Sequence, residues 1–279
     1  MMKFWNCSVC GGQSTDYMSL ENYTIAKCSA CGFGEAIPLR GGPWVGNYDD
    51  YGEYLIGDKR LKWFTKYRLF YQRYFDTFSE YFPNQCRVYD IGAGAAYFLG
   101  FCKSKGYDVG GFEPTNSLRK FAFENFEIEL DAELPSNGEY NVVVSQDVIE
   151  HIKVTDLRSH LEDVKRLLGK GGIFIGNTPN FGSASILLRG SSDPVVSPPH
   201  HTCYFTPDSF DSLLSECGFK KVYLGTSGFI LPLLFGLELK NKTFSILSKV
   251  IGLCLSPVIT FFQPDKGYQI QFCYQRSDS

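Results

Sequence analysis

Arg87-Val88-Tyr89-Asp90-Ile91-Gly92-Ala93-Gly94-Ala95-Ala96-Tyr97-Phe98 is the stretch that decides how the chain folds. Val88 to Ile91 is a run of apolar, β-favouring residues broken only by Asp90, and it reads as a buried strand. Gly92 and Gly94 let the backbone turn sharply and approach a ligand closely. Ala95 and Ala96 let a following helix pack tightly, and Phe98, Leu99, Phe101 and Cys102 give that helix an apolar side. The N–H groups at its start would face whatever lies over the turn. A second short strand, Tyr107 to Glu113, ends on an acid 19 residues after Gly94. An acid at that spacing sits at the end of the neighbouring parallel strand and accepts hydrogen bonds from ribose hydroxyls. The pair of strands therefore points to a nucleoside-containing cofactor.

Outward from this stretch, strands and helices alternate. Strands are expected over 86–91, 108–113, 127–130, 140–145 and 173–177, with two more near 220–225 and 268–275. Helices are expected over 96–105, 115–125, 155–168 and 207–217. This is the pattern of a doubly wound parallel sheet. Upstream, Leu61, Phe64, Tyr67, Leu69, Phe70, Tyr74, Phe75 and Phe78 recur at helical spacing, predicting a helix from about 58 to 82. Residues 34–58 hold Gly41-Gly42-Pro43 and many aromatics, which suits a linker or lid.

The amino terminus carries a different signal. Cys7-Ser8-Val9-Cys10 and Cys28-Ser29-Ala30-Cys31 are two Cys-x-x-Cys knuckles separated by 17 residues and backed by Gly11-Gly12 and Gly32. That spacing fits a four-cysteine zinc site. Four thiolates close a tetrahedral shell and leave no position for water, so the metal would be structural. Bracing the domain is the expected role.

Composition narrows the function further. At 279 residues the chain is long enough for one large domain with an appendage. The formal net charge of −3 gives no bulk electrostatic case for nucleic acid. The 24 Phe and 17 Tyr argue against disorder. The start, Met1 to Cys7, lacks the apolar run of a signal peptide, so the ten cysteines suit a reducing, cytoplasmic setting. The uncharged run between Lys249 and Asp265 is 15 residues and holds Pro257 and Pro264, short of the about 18 wanted for a membrane span. No transmembrane segment is expected, although membrane-surface contact fits the apolar stretch 228–264, as would packing on the core or in a homodimer.

Taken together, residues 86–225 resemble a class I S-adenosylmethionine-dependent methyltransferase of the small-molecule branch that includes ubiquinone-biosynthesis enzymes. The resemblance rests on Asp90-Ile91-Gly92-Ala93-Gly94, Glu113, Asp131-Ala132, Asp147-Val148-Ile149-Glu150-His151, Leu167-Leu168-Gly169-Lys170-Gly171-Gly172, and His201 to Pro207, in family order. It implies an α/β fold: a Rossmann-like doubly wound seven-stranded sheet with one antiparallel strand, plus a small amino-terminal zinc ribbon. The domains would be a ribbon over 1–40, an aromatic-rich lid and helix over 41–83, and the methyltransferase domain over 84–279. The turn at Gly92 and Gly94 would pass under the methionine part of S-adenosyl-L-methionine, with Asp90 orienting it. Glu113 would hold the ribose hydroxyls, and Asp131 and Ala132 the adenine. Gln146 and Asp147 would line the point of methyl delivery. Ala96 stands where a third glycine is frequent. No Gly-Lys-Ser/Thr is present, which excludes a P-loop.

An acceptor hydroxyl would need a base. The chain has four histidines. His160 lies mid-helix among charged residues and reads as solvated. His151 follows the fourth strand, and His201 lies in the loop over the carboxyl ends of the strands, so these two are the catalytic candidates. In some quinone-type relatives a block like Asp147 to His151 holds a divalent ion, and in others it only caps and packs the helix. The expected acceptor is a small molecule, a sugar or lipid-linked intermediate first. The alternatives are an RNA or protein methyltransferase docking through the ribbon, or a non-catalytic binding protein with this fold.

Overall fold

The computed structural model describes residues 4–39, 56, 71–72, 74–82, 85–228 and 264–277. Of the linker or lid expected over 34–58, Gly34–Pro38 is instead a strand, and all but residue 56 of the stretch 40–58, the first half of the helix over 58–82 and nearly all of the apolar insert lie outside the described residues.

The carboxy-terminal part is a six-stranded sheet covered on both faces. Its strands are β5 (Arg87–Ile91), β6 (Asp108–Phe112), β7 (Tyr140–Gln146), β8 (Leu168–Pro179), β10 (Phe219–Ser227) and β11 (Gln269–Arg276). They lie in the order β10-β11-β8-β7-β5-β6. The β5–β6, β5–β7 and β7–β8 pairs are parallel, and β11 is antiparallel to both its neighbours. The strand expected over 127–130 is reduced to a single parallel bridge between Phe112 and Asp131. Glu127 takes φ 55° to end the preceding helix, which leaves too little extended chain for a ladder.

Alternation along the strands sorts the core into two layers. Val142 and Val144 of β7 face one way, with Val88, Ile173, Ile175 and Cys273. Helix α1 (Tyr97–Ser104) covers that side with Phe98, Leu99, Phe101 and Cys102, and Tyr74, Phe78 and Phe82 pack beside it. Val143 faces the other way, with Tyr89, Phe174 and Phe272. There α3 (Leu157–Leu167) and α5 (Pro207–Glu216) bury Leu157, Leu161, Val164, Phe210 and Leu213. Each such side chain contributes about 1.5–3 kcal/mol when fully buried. Helix α2 (Asn116–Phe126) follows β6, and the short α4 (Ala184–Arg189) follows β8.

His160 is a correction. It lies on the buried face of α3 and is only 7 % exposed. Its position between Leu157 and Leu161 puts it inside the apolar stripe of the helix.

The amino-terminal part is a second sheet, β1 (Phe4–Asn6), β2 (Gln13–Ser19), β3 (Tyr23–Cys28) and β4 (Gly34–Pro38). Its fifth strand, β9 (Cys203–Tyr204), comes from the loop that carries His201. Gly34 pairs with Tyr204 and Glu35 with Cys203, and the Ala36 amide donates to the Thr202 carbonyl at 3.0 Å. The cysteine-bearing sheet is thereby sewn to the carboxy-terminal part beside one of its expected catalytic residues.

Candidate active site

The glycine turn closes β5 against the end of β6. The Gly92 and Ala93 amides both donate to the Phe112 carbonyl at 2.9 Å. Gly92 takes φ +74°, and a Cβ there would lie 2.6 Å from Cγ2 of Val148. The crowding expected from a ligand thus comes first from the segment after β7, which presses onto the turn. Ala96 caps α1 at φ 55°, a left-handed conformation that alanine adopts at a cost of about 1 kcal/mol or more.

Two buried carboxyls meet at this turn. Glu113, 6 % exposed, accepts from the Gly94 amide through Oε2 at 2.9 Å and from the Thr115 amide through Oε1 at 2.8 Å. An ionised carboxylate accepts about four hydrogen bonds, so both oxygens keep capacity for a ligand. Asp90 is 3 % exposed, and its Oδ1 makes no hydrogen bond. Burial, and then the charge of Glu113, push the Asp90 carboxyl well above its ordinary range. Two acids placed together this way are costly unless a cation or a set of donors meets them.

Asp131 and Ala132 are exposed at the rim beside β6. Oδ2 of Asp131 accepts from the Tyr89 hydroxyl at 2.7 Å, which fixes the carboxylate. At the end of β7, Gln146 is half-buried and Asp147 takes φ 53°. Asp147 as a whole is exposed, yet its Oδ1 is tucked between the side-chain amides of Asn177 at 2.8 Å and Gln269 at 3.1 Å. Loss of water around that carboxyl, only partly offset by those donors, pushes it up to about 6.

Tyr74 was not read from the sequence as a site residue. It is 5 % exposed and makes no hydrogen bond of normal geometry. Its hydroxyl is close enough to Gln146, Asp90 and Asp147 to feel all three, so it belongs to the same cleft. Helical spacing made Tyr74 look like core, and only the fold shows which strand ends it meets.

His151 and His201 come together although they are 50 residues apart in sequence. Their rings stack edge to face with centroids 4.8 Å apart. Nδ1 of His151 donates to the His200 carbonyl, and Nδ1 of His201 donates to the Val195 carbonyl, both at 2.7 Å. A carbonyl only accepts, so Nδ1 carries the proton on each ring. Burial lowers both from the ordinary histidine range, His201 to about 4, with the neighbouring His151 adding to the effect.

The four cysteines form a separate centre. Sγ of Cys7 and Cys31 are 3.7 Å apart, and Sγ of Cys10 and Cys28 are 3.6 Å apart. The edge of a tetrahedron with zinc–sulfur bonds of about 2.3 Å is about 3.8 Å, so the set fits zinc. Each knuckle turns through a glycine of positive φ, Gly11 at 70° and Gly32 at 75°. Burial raises the Cys7 thiol to about 11 and raises Cys31 further. Burial acts the same way on Cys28, but the Cys31 and Ala30 amides outweigh it and bring that thiol to about 7.

A mostly parallel sheet with one reversed strand, a glycine turn closed by acids and histidines over the carboxyl edge is an arrangement suited to a nucleoside-containing cofactor. The sequence profile of a family described as a methyltransferase domain matches residues 63–224. The chain belongs to that family, and its fold is that of the S-adenosylmethionine-dependent methyltransferases. An S-adenosylmethionine-dependent methyltransferase of Archaeoglobus fulgidus superposes with a TM-score of 0.53 at 18 % identity, over 83 % of this chain and 100 % of that one. The phosphoethanolamine N-methyltransferase 2 of Haemonchus contortus, solved with S-adenosyl-L-methionine, gives 0.54 at 16 % identity, over 94 % of this chain and 71 % of that one. No curated protein sequence matches the chain. Among the described residues, no helix is long and apolar enough to cross a membrane.

Proposed function

We propose that the enzyme moves the methyl group of S-adenosyl-L-methionine to a small-molecule acceptor, a sugar or lipid-linked intermediate first, and that the cysteine centre holds a structural zinc ion. The observation that carries the reading is the buried pair Asp90 and Glu113 at the glycine turn. S-adenosylmethionine presents an ammonium group, a sulfonium and ribose hydroxyls, which are the partners such a pair lacks. Bound there, it supplies a carbon already activated by sulfonium.

The residues divide the remaining work. The Gly92–Gly94 turn passes under the methionine part, and the open Oδ1 of Asp90 receives its amino group directly or through water. Glu113 accepts from the ribose hydroxyls. Asp131, steadied by Tyr89, accepts from the adenine amine, and the Ala132 amide donates to the ring. Gln146 and Asp147 line the space where nucleophile and methyl align, and Tyr74 closes it from behind. Alignment and exclusion of water are most of what this reaction asks of a protein. His201 and His151, held neutral with Nδ1 tied to carbonyls, meet the acceptor and neutralise the proton it sheds. The proposed division of the chain is ribbon 1–40, lid and helix 41–83, and methyltransferase domain 84–279.

The test has two arms. Calorimetry with S-adenosylhomocysteine should show binding by wild type and a much weaker isotherm for Glu113→Ala. A screen with labelled methyl groups over nucleotide sugars, lipid-linked sugars, quinol precursors and RNA should label a sugar-bearing acceptor. Folded wild type that ignores S-adenosylhomocysteine removes the cofactor reading, and label in RNA alone removes the small acceptor.

A further inference from the structure

Where the second cysteine knuckle meets the start of α5 there is a cavity of about 550 Å³. That is the size of a small-molecule site. The cysteine sheet contributes Tyr17 and Lys27 to its wall, and the carboxy-terminal part contributes Asp208, Asp265 and Lys266. Nζ of Lys27 lies 4.4 Å from the centroid of the Tyr17 ring and 5.3 Å from that of Phe181. The two rings meet edge to face at 5.6 Å. Ring faces hold an ammonium in place without neutralising it. Lys266 ends the 3₁₀ turn Pro264–Lys266. Among the described residues neither lysine forms a salt bridge. Burial, and then the charge of Lys266, lower the Lys27 ammonium from its ordinary range.

Two cations thus face one space, and an oxyanion between them would relieve their repulsion. The turn that carries Lys266 is held from below. Asn180 is fully buried, and its Nδ2 donates to the Asp265 carbonyl at 2.8 Å and the Gly267 carbonyl at 2.7 Å. A cation fixed in advance binds at a lower entropic cost. Asp208 and Asp265 are exposed at the same cavity and form no salt bridge with either lysine. Carboxylates only accept, so they suit the hydroxyls of a sugar. The cavity also lies close to the cleft. Lys266 stands three residues before Gln269, whose side-chain amide donates to Oδ1 of Asp147 at 3.1 Å. Three residues of chain span at most about 10 Å.

We propose that this cavity binds the diphosphate of a sugar diphosphate, with Lys27 and Lys266 meeting the oxyanion and Asp208 and Asp265 the hydroxyls beside it. Lysine ammonium groups serve phosphates as point charges, and hydrogen bonds between ionised partners are the stronger kind. A nucleotide-linked sugar and a prenyl-linked sugar share this group. The site deepens the proposed function and rests on it in one respect: the sugar is taken to be the methyl acceptor. The cysteine sheet then supplies one wall of the acceptor site, a role beyond bracing the domain.

Phosphorus NMR titration of inorganic pyrophosphate with the full-length protein tests it. Wild type should broaden the pyrophosphate resonance saturably. Lys27→Met and Lys266→Met should each weaken binding about tenfold, and Lys27→Arg, which keeps the charge, should restore most of it. Methionine preserves the apolar stem against Tyr17 and Phe181, and circular dichroism would report any loss of fold. Uridine diphosphate and farnesyl diphosphate in the same assay distinguish the carriers: tighter binding of either supports the site and identifies its source. Wild type that ignores all three probes overturns the site. Lys27 also precedes Cys28 and could serve only to balance thiolate charge. In that case Lys27→Met would loosen metal retention and leave pyrophosphate binding unchanged, which also overturns the site. S-adenosylhomocysteine calorimetry on the same samples separates the two readings. Cofactor binding without pyrophosphate binding defeats only the diphosphate site, and lysine-dependent pyrophosphate binding without cofactor binding defeats only the methyltransferase reading.

Discussion

Oγ1 of Thr206 donates a 3.0 Å hydrogen bond to the carbonyl of Cys31. Cys31 belongs to the second cysteine knuckle. Thr206 caps α5, accepting from the Ser209 amide at 3.3 Å, and stands five residues after His201. The order of the knuckle and the position of the His201 loop are therefore mechanically linked.

Cys28→Ser, or a chelator that strips the zinc proposed for the cysteine centre, is expected to raise the acceptor KM or lower kcat and leave S-adenosylhomocysteine affinity within about twofold, since the glycine turn is on another strand. Amide exchange should quicken over 202–206. Unchanged exchange there would show that the loop does not depend on the knuckle.

Glu113→Gln keeps the shape of the side chain and removes its charge. Hydrogen bonds to a charged partner are worth about 1.5–3 kcal/mol, so S-adenosylhomocysteine affinity should fall about 10- to 100-fold by calorimetry. The Gly94 and Thr115 amides lose a strong acceptor too, and a lower melting temperature should accompany the change.

Gly92→Ala meets Val148 at 2.6 Å and demands positive φ of a residue with a Cβ. A loss of about 2–4 kcal/mol in denaturant unfolding is expected. Val148→Ala in the same chain should return part of it, because the clash and the φ penalty are separate. A double mutant as unstable as the sum of the singles would contradict the contact.

His160 sets an acid limb. Its folded-state pKa is lowered to about 4 by burial, against the nearby charge of Asp163, while the unfolded chain titrates near 6.5. The unfolded state binds the extra proton between those values, so stability is full above pH 6.5 and falls as pH drops toward 4, by up to about 3 kcal/mol. Asp147, raised to about 6, works in the opposite direction over the same range. His160→Leu should make the acid limb shallower in pH-dependent denaturation without abolishing it, because His201, also lowered to about 4, contributes over the same range. An equally steep limb would place its origin elsewhere.

Much of the fold could be read from local chemistry. Gly92, Gly94, Glu113 and the cysteine knuckles announce themselves because each needs a particular residue at a short, fixed spacing. The third strand failed because its apolar alternation is only four residues long and the helix before it ends in a left-handed Glu127. His160 was misread from its charged neighbours, although the stripe Leu157, Leu161 and Val164 carried the better signal. Tyr74 joins the site through tertiary packing alone, and no local pattern distinguishes it from core. The pairing of β4 with β9 is less legible still, since a two-residue strand has no periodicity to detect.

That pairing has a consequence for how the protein can be taken apart. The cysteine sheet borrows its last strand from a chain segment about 165 residues downstream, so cutting at residue 40 would yield no self-sufficient module. Each fragment would present an unzipped backbone to solvent, and both would be prone to clump. Grafting this ribbon onto another enzyme would require transplanting the histidine loop along with it.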